Sequence, residues 1–568
     1  MRLDRVLSGK SEKHIIHSNA DERENPLVTR RSSYGRADAS TIALANSRID
    51  TMDELLTDYQ LRKYYGRRDL ISSAADSGYN SSNATDNGEE VENNASKIAA
   101  AATVQSASSQ RPKPWVMNAF AMAAPGHLAP GLWRHPDQEP QTLEHWVELA
   151  KKLDAAKFHG IFFADVLGIY DVYQSSNGPA LKAAAQVPHP DVSLLVSAMA
   201  YATKNLSFGI TASTSYEHPY QLARRYATLD HATNGRVGWN IVTSYLESAA
   251  KSYGLDQMTQ HDNRYDVASE YMEVVYKLLE GSWEDDAVEA NKKTGVYANP
   301  DKVHPINHAG EHFRCRGPSL VHPSPQRTPF LLQAGASKAG KNFAATHAEA
   351  MFLPGMIPEK TRAIVDSVKE LLIEKGRSAD SIKFIAGIFI VVDETDAKAE
   401  AKFQDLLRYA DLEGTAALFG GWSGTDLSQF SDDEDFSFKG PPGIQSMISA
   451  WTATVPGLEN VKWTKKHVLQ HLAISGAHPR AIGSAKTVAD IMEHWIEQAG
   501  VDGFNISYAT TPHTFDDIIK YLWPELKKRG VLQESYAGSS MRENYLQDGK
   551  GARVREGHPA LKYRNLKS

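Results

Sequence analysis

The chain runs to 568 residues, 41% of them hydrophobic, with a formal net charge of −7. That is ample apolar content for a large core, and the lack of a basic excess argues against a nucleic-acid binder. One cysteine, Cys315, excludes an intrachain disulfide and fits a reducing compartment such as the cytoplasm. No apolar run is long enough to span a bilayer, and Met1 to Asn25 lacks the apolar stretch of a secretory signal.

Residues 1 to about 70 are polar and patchy, with a weak helical pattern from Met52 to Tyr65 that admits a short docking helix. From Ser72 to Gln110 the chain is mostly Ser, Ala, Asn, Asp and Glu, with Tyr79 as the one aromatic. Such a stretch buries too little apolar area to offset its ordering entropy, so residues 1–112 read as a largely disordered extension. Order begins near Trp115, and 113–534 reads as one catalytic body. The polar tail, 535–568, is expected to wrap the surface or fray.

Within that body, strands and helices alternate. Val116–Ala121 reads as a first strand, Thr142–Ala156 as an amphipathic helix, and Gly160–Asp165 as a second strand ending on a carboxylate. Asp191–Thr203 is a helix capped by Asp191 or Ser193. Leu206–Ile210 is a third strand that runs into Thr211, and Tyr220–Ala232 is the next helix. Asn234-Gly235 then turns the chain into a short apolar strand that delivers Asn240, Thr243 and Ser244. After an irregular insertion at 281–327 come strands at Pro329–Gln333, Glu349–Leu353 and Ile382–Val392. A second insertion, 414–484, precedes the eighth strand at Gly503–Tyr508 and a closing helix at Asp516–Arg529. Eight strand–helix units imply parallel strands with right-handed crossovers, and so a (β/α)8 TIM barrel.

On such a barrel Asp165, Thr211, Asn240 and Ser244 fall at the carboxyl-terminal rim, where barrel enzymes keep their sites; the same polar exits also suit core strands leaving for solvent. Gly335 to Asn342 nearly spells a P-loop, but Asn342 stands where the magnesium-binding Ser or Thr belongs, and Ile390–Asp393 is a weak Walker B imitation. The strand, Gly-containing turn, Ser337 and helix start nonetheless form an anion cradle. His304, His308 and His312 have metal-ligand spacing, but Pro305 and Gly310 interrupt any helix, so a surface loop without metal is the reading. His261 and Tyr265 lie one helical turn apart, a spacing equally common in purely structural pairs. Cys315 reads as a passive thiol.

Several longer motifs point further. They are Gly126-His127 with Gly131-Leu132-Trp133-Arg134-His135-Pro136, Phe163-Ala164-Asp165, Thr228-Leu229-Asp230, Trp239 through Ser244, and Gln333-Ala334-Gly335-Ala336-Ser337. In this order they resemble the two-component flavin-dependent monooxygenases of the bacterial luciferase superfamily, in the branch of the nitrilotriacetate, EDTA and dibenzothiophene-sulfone enzymes. The resemblance covers roughly Pro114 to Arg529; residues 1–112 have no counterpart in it.

The resemblance implies a luciferase-like barrel binding FMN noncovalently, reduced by a separate NAD(P)H:flavin oxidoreductase. O2 is the co-substrate, and one oxygen atom enters a small organic, xenobiotic-type substrate. Carried over by position, flavin contacts fall on Asp165, Thr211, His261, Tyr265 and Ser337, with Asn240 as a further contact. Tyr265, Ser337 and the backbone at Ala336 would hold the phosphate, and Asp165 would accept a hydrogen bond rather than serve as an acid. His127, His135 and Tyr173 are the acid–base candidates. A homo-oligomer, dimer or tetramer, is expected, with no membrane or nucleic-acid partner. The insertions would form the lid; Phe419, Trp422, Phe430, Phe436, Phe438 and Trp451 lean apolar, though Lys439 stands among them. A non-catalytic FMN-binding barrel and a deazaflavin cofactor remain the alternatives.

Overall fold

The computed structural model describes residues 114–353, 355, 357–436, 447–448 and 462–564. The expectations for residues 1–112, and for Phe438, Lys439 and Trp451, fall outside these residues.

The strands are β1 (Val116–Ala121), β2 (Gly160–Phe163), β3 (Ser207–Ser213), β4 (Val237–Val242), β5 (Phe330–Gln333), β6 (Ala350–Leu353), β7 (Lys383–Asp393), β8 (Arg480–Ser484) and β9 (Gly503–Ser507). All pair in parallel. β1 to β7 follow in sequence, β9 joins β7 to β1, and the β6–β7 pairing completes a closed eight-stranded barrel. Crossover helices cover it, as an all-parallel sheet buried on both faces requires. They include α1 (Leu143–Ala155), α2 (Val192–Ala202), α3 (Pro219–Thr233), α4 (His261–Tyr276), α5 (Lys338–His347) and α6 (Pro358–Glu374). No helix among the described residues is long and apolar enough to cross a membrane.

Local chemistry sets the boundaries. Thr142 caps α1 through the His145 amide, and Asp191, not Ser193, caps α2. Asn234 and Gly235 both take positive φ, 53° and 83°, and turn α3 into β4.

Two regions differ from the sequence expectation. Arg480–Ser484, assigned to the second insertion, is a ninth strand that pairs with the outer half of β7, from Phe389 to Asp393. Its five residues begin on Arg and end on Gly-Ser, so no apolar run marks it. α7 (Asp396–Leu407) precedes that insertion, which carries α8 (Leu412–Ser423) and α9 (Lys465–Leu472); α10 (Ala485–Ala499) follows it.

The larger correction concerns the tail, part of which is buried rather than laid on the surface. Its helix α11 (Met541–Leu546) plugs the amino-terminal end of the barrel. Met541 and Arg542 are fully buried, and Tyr545 is 2% exposed. Two strand glycines make room for them: a Cβ on Gly238 would stand 2.6 Å from Met541 Sδ, and one on Gly160 would stand 2.9 Å from the Tyr545 hydroxyl. That hydroxyl donates to Asn118 Oδ1 at 2.6 Å. Arg542 binds both Glu349 oxygens, at 2.6 and 2.7 Å, and donates to the carbonyls of Thr328 and Pro329. Burial alone would raise the Glu349 carboxyl; Arg542 outweighs it and holds the group below its usual range.

Removing one partner of a buried ion pair costs about 3–5 kcal/mol, so Arg542→Met should lower the urea-unfolding free energy by that amount. Because the Glu349 carboxyl is depressed in the folded state, its stabilisation is present above the ordinary value of 4.5 and is lost as pH falls through the folded value. A pH series of urea melts should show this acid loss in the parent and a weaker one in the variant.

Candidate active site

Polar groups from four adjacent strands meet at the opposite, carboxyl-terminal rim. Thr211 lies inside β3 rather than beyond its end. Its hydroxyl donates to Phe163 O at 2.8 Å, so it must accept from Asn240 Nδ2, also at 2.8 Å. This fixes the Asn240 amide and leaves its Oδ1 buried with no partner among the described residues. One strand on, Gln333 is 3% exposed and its Oε1 is likewise unpartnered. Asp165, two residues past β2, accepts from His189 Nε2 at 3.0 Å.

Two clefts flank the exit of β4. The first, about 840 Å³, is lined by Asp165, Thr211, Ser213 and Ser244, with the stacked rings of Tyr216 and Tyr253 (4.5 Å, 7°). The second, about 760 Å³, runs between α4 and α5 and is lined by His261, Tyr265, Ser337 and Lys338. Of the expected contacts, Asp165 and Thr211 line the first cleft and His261, Tyr265 and Ser337 the second, while Asn240 and Ala336 line neither. The Tyr265 hydroxyl reaches both Ser337 and Thr243, and burial pushes it up. Ser337 caps α5, accepting from Gly340 N at 3.0 Å. Ala336 is half-buried in the turn before that cap. Glycines shape the cradle: a Cβ on Gly335 would stand 2.5 Å from the Tyr265 hydroxyl and from Gln333 Nε2. Lys341, the P-loop lysine by spacing, instead binds Ser367 Oγ at 2.9 Å.

Of the acid–base candidates, only His127 keeps its ring nitrogens uncommitted. It is 2% exposed, and neither ring nitrogen has a partner among the described residues. Burial first, then His478 and His189, push it down to about 3, so it is neutral. His135 is committed elsewhere: Nε2 meets Asp405 at 3.1 Å and Nδ1 accepts from the Asp137 amide. Tyr173 packs with Leu418, Phe419 and Leu427 in the core of the second insertion. Tyr170, three residues earlier, belongs to the same cluster. It donates to Gln186 Oε1 at 2.8 Å, meets Tyr245 at 2.7 Å and accepts from Trp422 Nε1 at 3.2 Å. Neither it nor His478 was foreseen. Tyr170 does lie five residues beyond Asp165 in the same loop, whereas His478 comes from the end of an insertion that carries no pattern of its own.

No group of three or more metal-binding side chains occurs among the described residues. His304 pairs with Glu284. His308 is buried rather than on a surface loop; it sits in a small hairpin and pairs with Glu270.

A family model described as luciferase-like monooxygenase matches residues 119–503. The dimethyl-sulfide monooxygenase of Hyphomicrobium sulfonivorans is 45% identical over 453 residues, 79% of this chain and 94% of that protein. The long-chain alkane monooxygenase of Geobacillus thermodenitrificans is 44% identical over 456 residues, 80% of this chain and 98% of that one. Among solved structures, a riboflavin lyase with modified FMN and riboflavin superposes with a TM-score of 0.71 at 33% identity, over 80% of this chain and all of the other.

The cradle leaves no room for a side chain at position 335. Gly335→Ala should therefore weaken flavin binding about tenfold, or about 1.4 kcal/mol, in a flavin-fluorescence titration. Unchanged affinity would dissociate this turn from phosphate binding.

Proposed function

The chain belongs to the luciferase-like monooxygenases, and we propose that it draws reduced FMN from a separate NAD(P)H-dependent reductase and uses it with O2 to oxygenate a small organic substrate. The observation that carries this reading is the bare acceptor Asn240 Oδ1, on the barrel-interior face of its strand at the rim. A buried acceptor left unpaired costs about 1–3 kcal/mol, so it calls for a ligand that donates. The ribityl hydroxyls and ring N–H of a flavin are such donors, and the glycine-shaped turn before α5 suits its phosphate. Among the described residues there is one barrel and no second, nucleotide-binding unit, which supports an external source of electrons.

The bound reduced flavin supplies two electrons, and with two protons one atom of O2 enters the substrate while the other leaves as water. The chain's own groups bind and orient. Tyr265, Ser337 and the Ala336 backbone would take the phosphate; Thr211, Asn240 and His261 would take the ribityl chain and ring edge; Asp165 would accept a hydrogen bond from the ring. His127, neutral and otherwise unpaired, offers one donor and one acceptor to the reacting end, and the aromatic shell around it excludes water.

The names of the two relatives, one for dimethyl sulfide and one for long-chain alkanes, accord with a small organic substrate. The outward face of α2 supports a homo-oligomer, dimer or tetramer, since Leu194 is 76% and Tyr201 95% exposed on a helix without a charged residue. A single cysteine accords with a cytoplasmic enzyme.

With a flavin reductase, NADH and O2 present, the expected result is a product one oxygen heavier, formed in step with NADH consumption. Hydrogen peroxide as the only product with every sulfide, alkane, sulfone and chelate offered would instead favour a barrel that binds flavin without transferring oxygen. Asn240→Ala should weaken FMN binding about tenfold, and reduced riboflavin should bind the parent more weakly than reduced FMN.

A further inference from the structure

The loop between β2 and α2 brings a histidine against the carboxylate of the first cleft, and both residues line that cleft. His189 Nε2 donates to Asp165 Oδ1 at 3.0 Å. The two side chains are 11% and 15% exposed, so little water competes for the bond. Asp165 has no other hydrogen-bond partner among the described residues, which leaves Oδ2 for a ligand. The other two carboxylates of this cleft are committed. Glu217 pairs with Arg225, and Asp191 accepts from the Ser193 amide at 2.9 Å to cap α2.

The bonds of His189 show how it acts. A carboxylate only accepts, so the proton of this bond sits on Nε2. Nδ1 is buried and has no partner among the described residues. The ring's one polar contact is therefore Asp165, and it works through that carboxylate rather than on a ligand. The chain holds the ring stiffly. Pro188 and Pro190 flank it with φ fixed by their own rings, and a following proline favours the extended region for residue 189. Three residues before, Gln186 donates to His127 O at 2.9 Å and accepts from Tyr170 at 2.8 Å. Two residues after, Asp191 starts α2. An Asp carboxylate with no partner turns freely about its last bond, whereas one oxygen pinned from so fixed a support aims the other.

We propose that His189 is a positioning residue for the flavin: it orients the Asp165 carboxylate so that Oδ2 meets a donor on the ring, and the pair rather than Asp165 alone recognises that ring. This rests on the flavin reading above. Tyr265 and Ser337, assigned there to the phosphate, line the other cleft, so the effect of His189 is the same for a flavin with or without its phosphate.

The test is a flavin-fluorescence titration of the full chain with FMN and with riboflavin. His189→Phe keeps a ring and removes the donor, and it should weaken binding of both flavins about tenfold. His189→Gln, whose amide nitrogen reaches the place of Nε2, should restore both affinities to within about twofold of the parent. In an Asp165→Ala background His189→Phe should cause no further loss, because the group it orients is gone. Four results overturn the inference and leave the flavin reading standing: unchanged affinity in His189→Phe, no rescue by His189→Gln, a fully additive loss in the double variant, or a loss with FMN that riboflavin does not share. Failure of the parent to bind either flavin overturns the flavin reading and the inference with it. Should His189→Phe fail to fold, His189→Asn, whose shorter amide falls short of Asp165, makes the same comparison with His189→Gln.

Discussion

The contact on which the barrel depends is the buried Arg542–Glu349 pair at its closed end. Both partners lie beneath the sheet, and the guanidinium also satisfies the carbonyls at the foot of β5. Around this pair the strands leave gaps at Gly160 and Gly238, which Tyr545 and Met541 fill. A parallel barrel must pack its axis with side chains. Here the last stretch of the chain supplies part of that packing, which leaves the carboxyl-terminal end to carry polar groups and open clefts.

That division explains where sequence reasoning worked. Strands buried on both faces advertise themselves as apolar runs, so Val116–Ala121 and Gly503–Ser507 were legible to within a residue. The polar exits at Asp165 and Asn240 followed from the strands that end there. The tail was misread because its composition is polar. Arg542 is an exposed residue by type, and only a glutamate 193 positions earlier makes its burial tolerable. Arg480–Ser484 was missed for a similar reason, since it borrows its stability from the long neighbour β7.

At the site, residue type proved a poor guide to role. His127 and His135 stand eight residues apart in one loop, yet the first keeps both nitrogens bare while the second is absorbed by Asp405 and Asp137. What separates the two is the partner that distant segments bring, and local spacing carries no information about it. The bare amide oxygens of Asn240 and Gln333 are a different kind of signal, because they appear only once every neighbouring donor has been assigned.

The eleven residues of β7 serve two structures at once. Their first half closes the barrel against β6 and β9, and their second half carries β8 alone. The second insertion therefore leaves from the helix after β7 and returns beside β7 itself. Both stems are stitched to the same rigid rod, so a change in the described helices beside them is felt by the outer half of β7 before it reaches the closed cylinder.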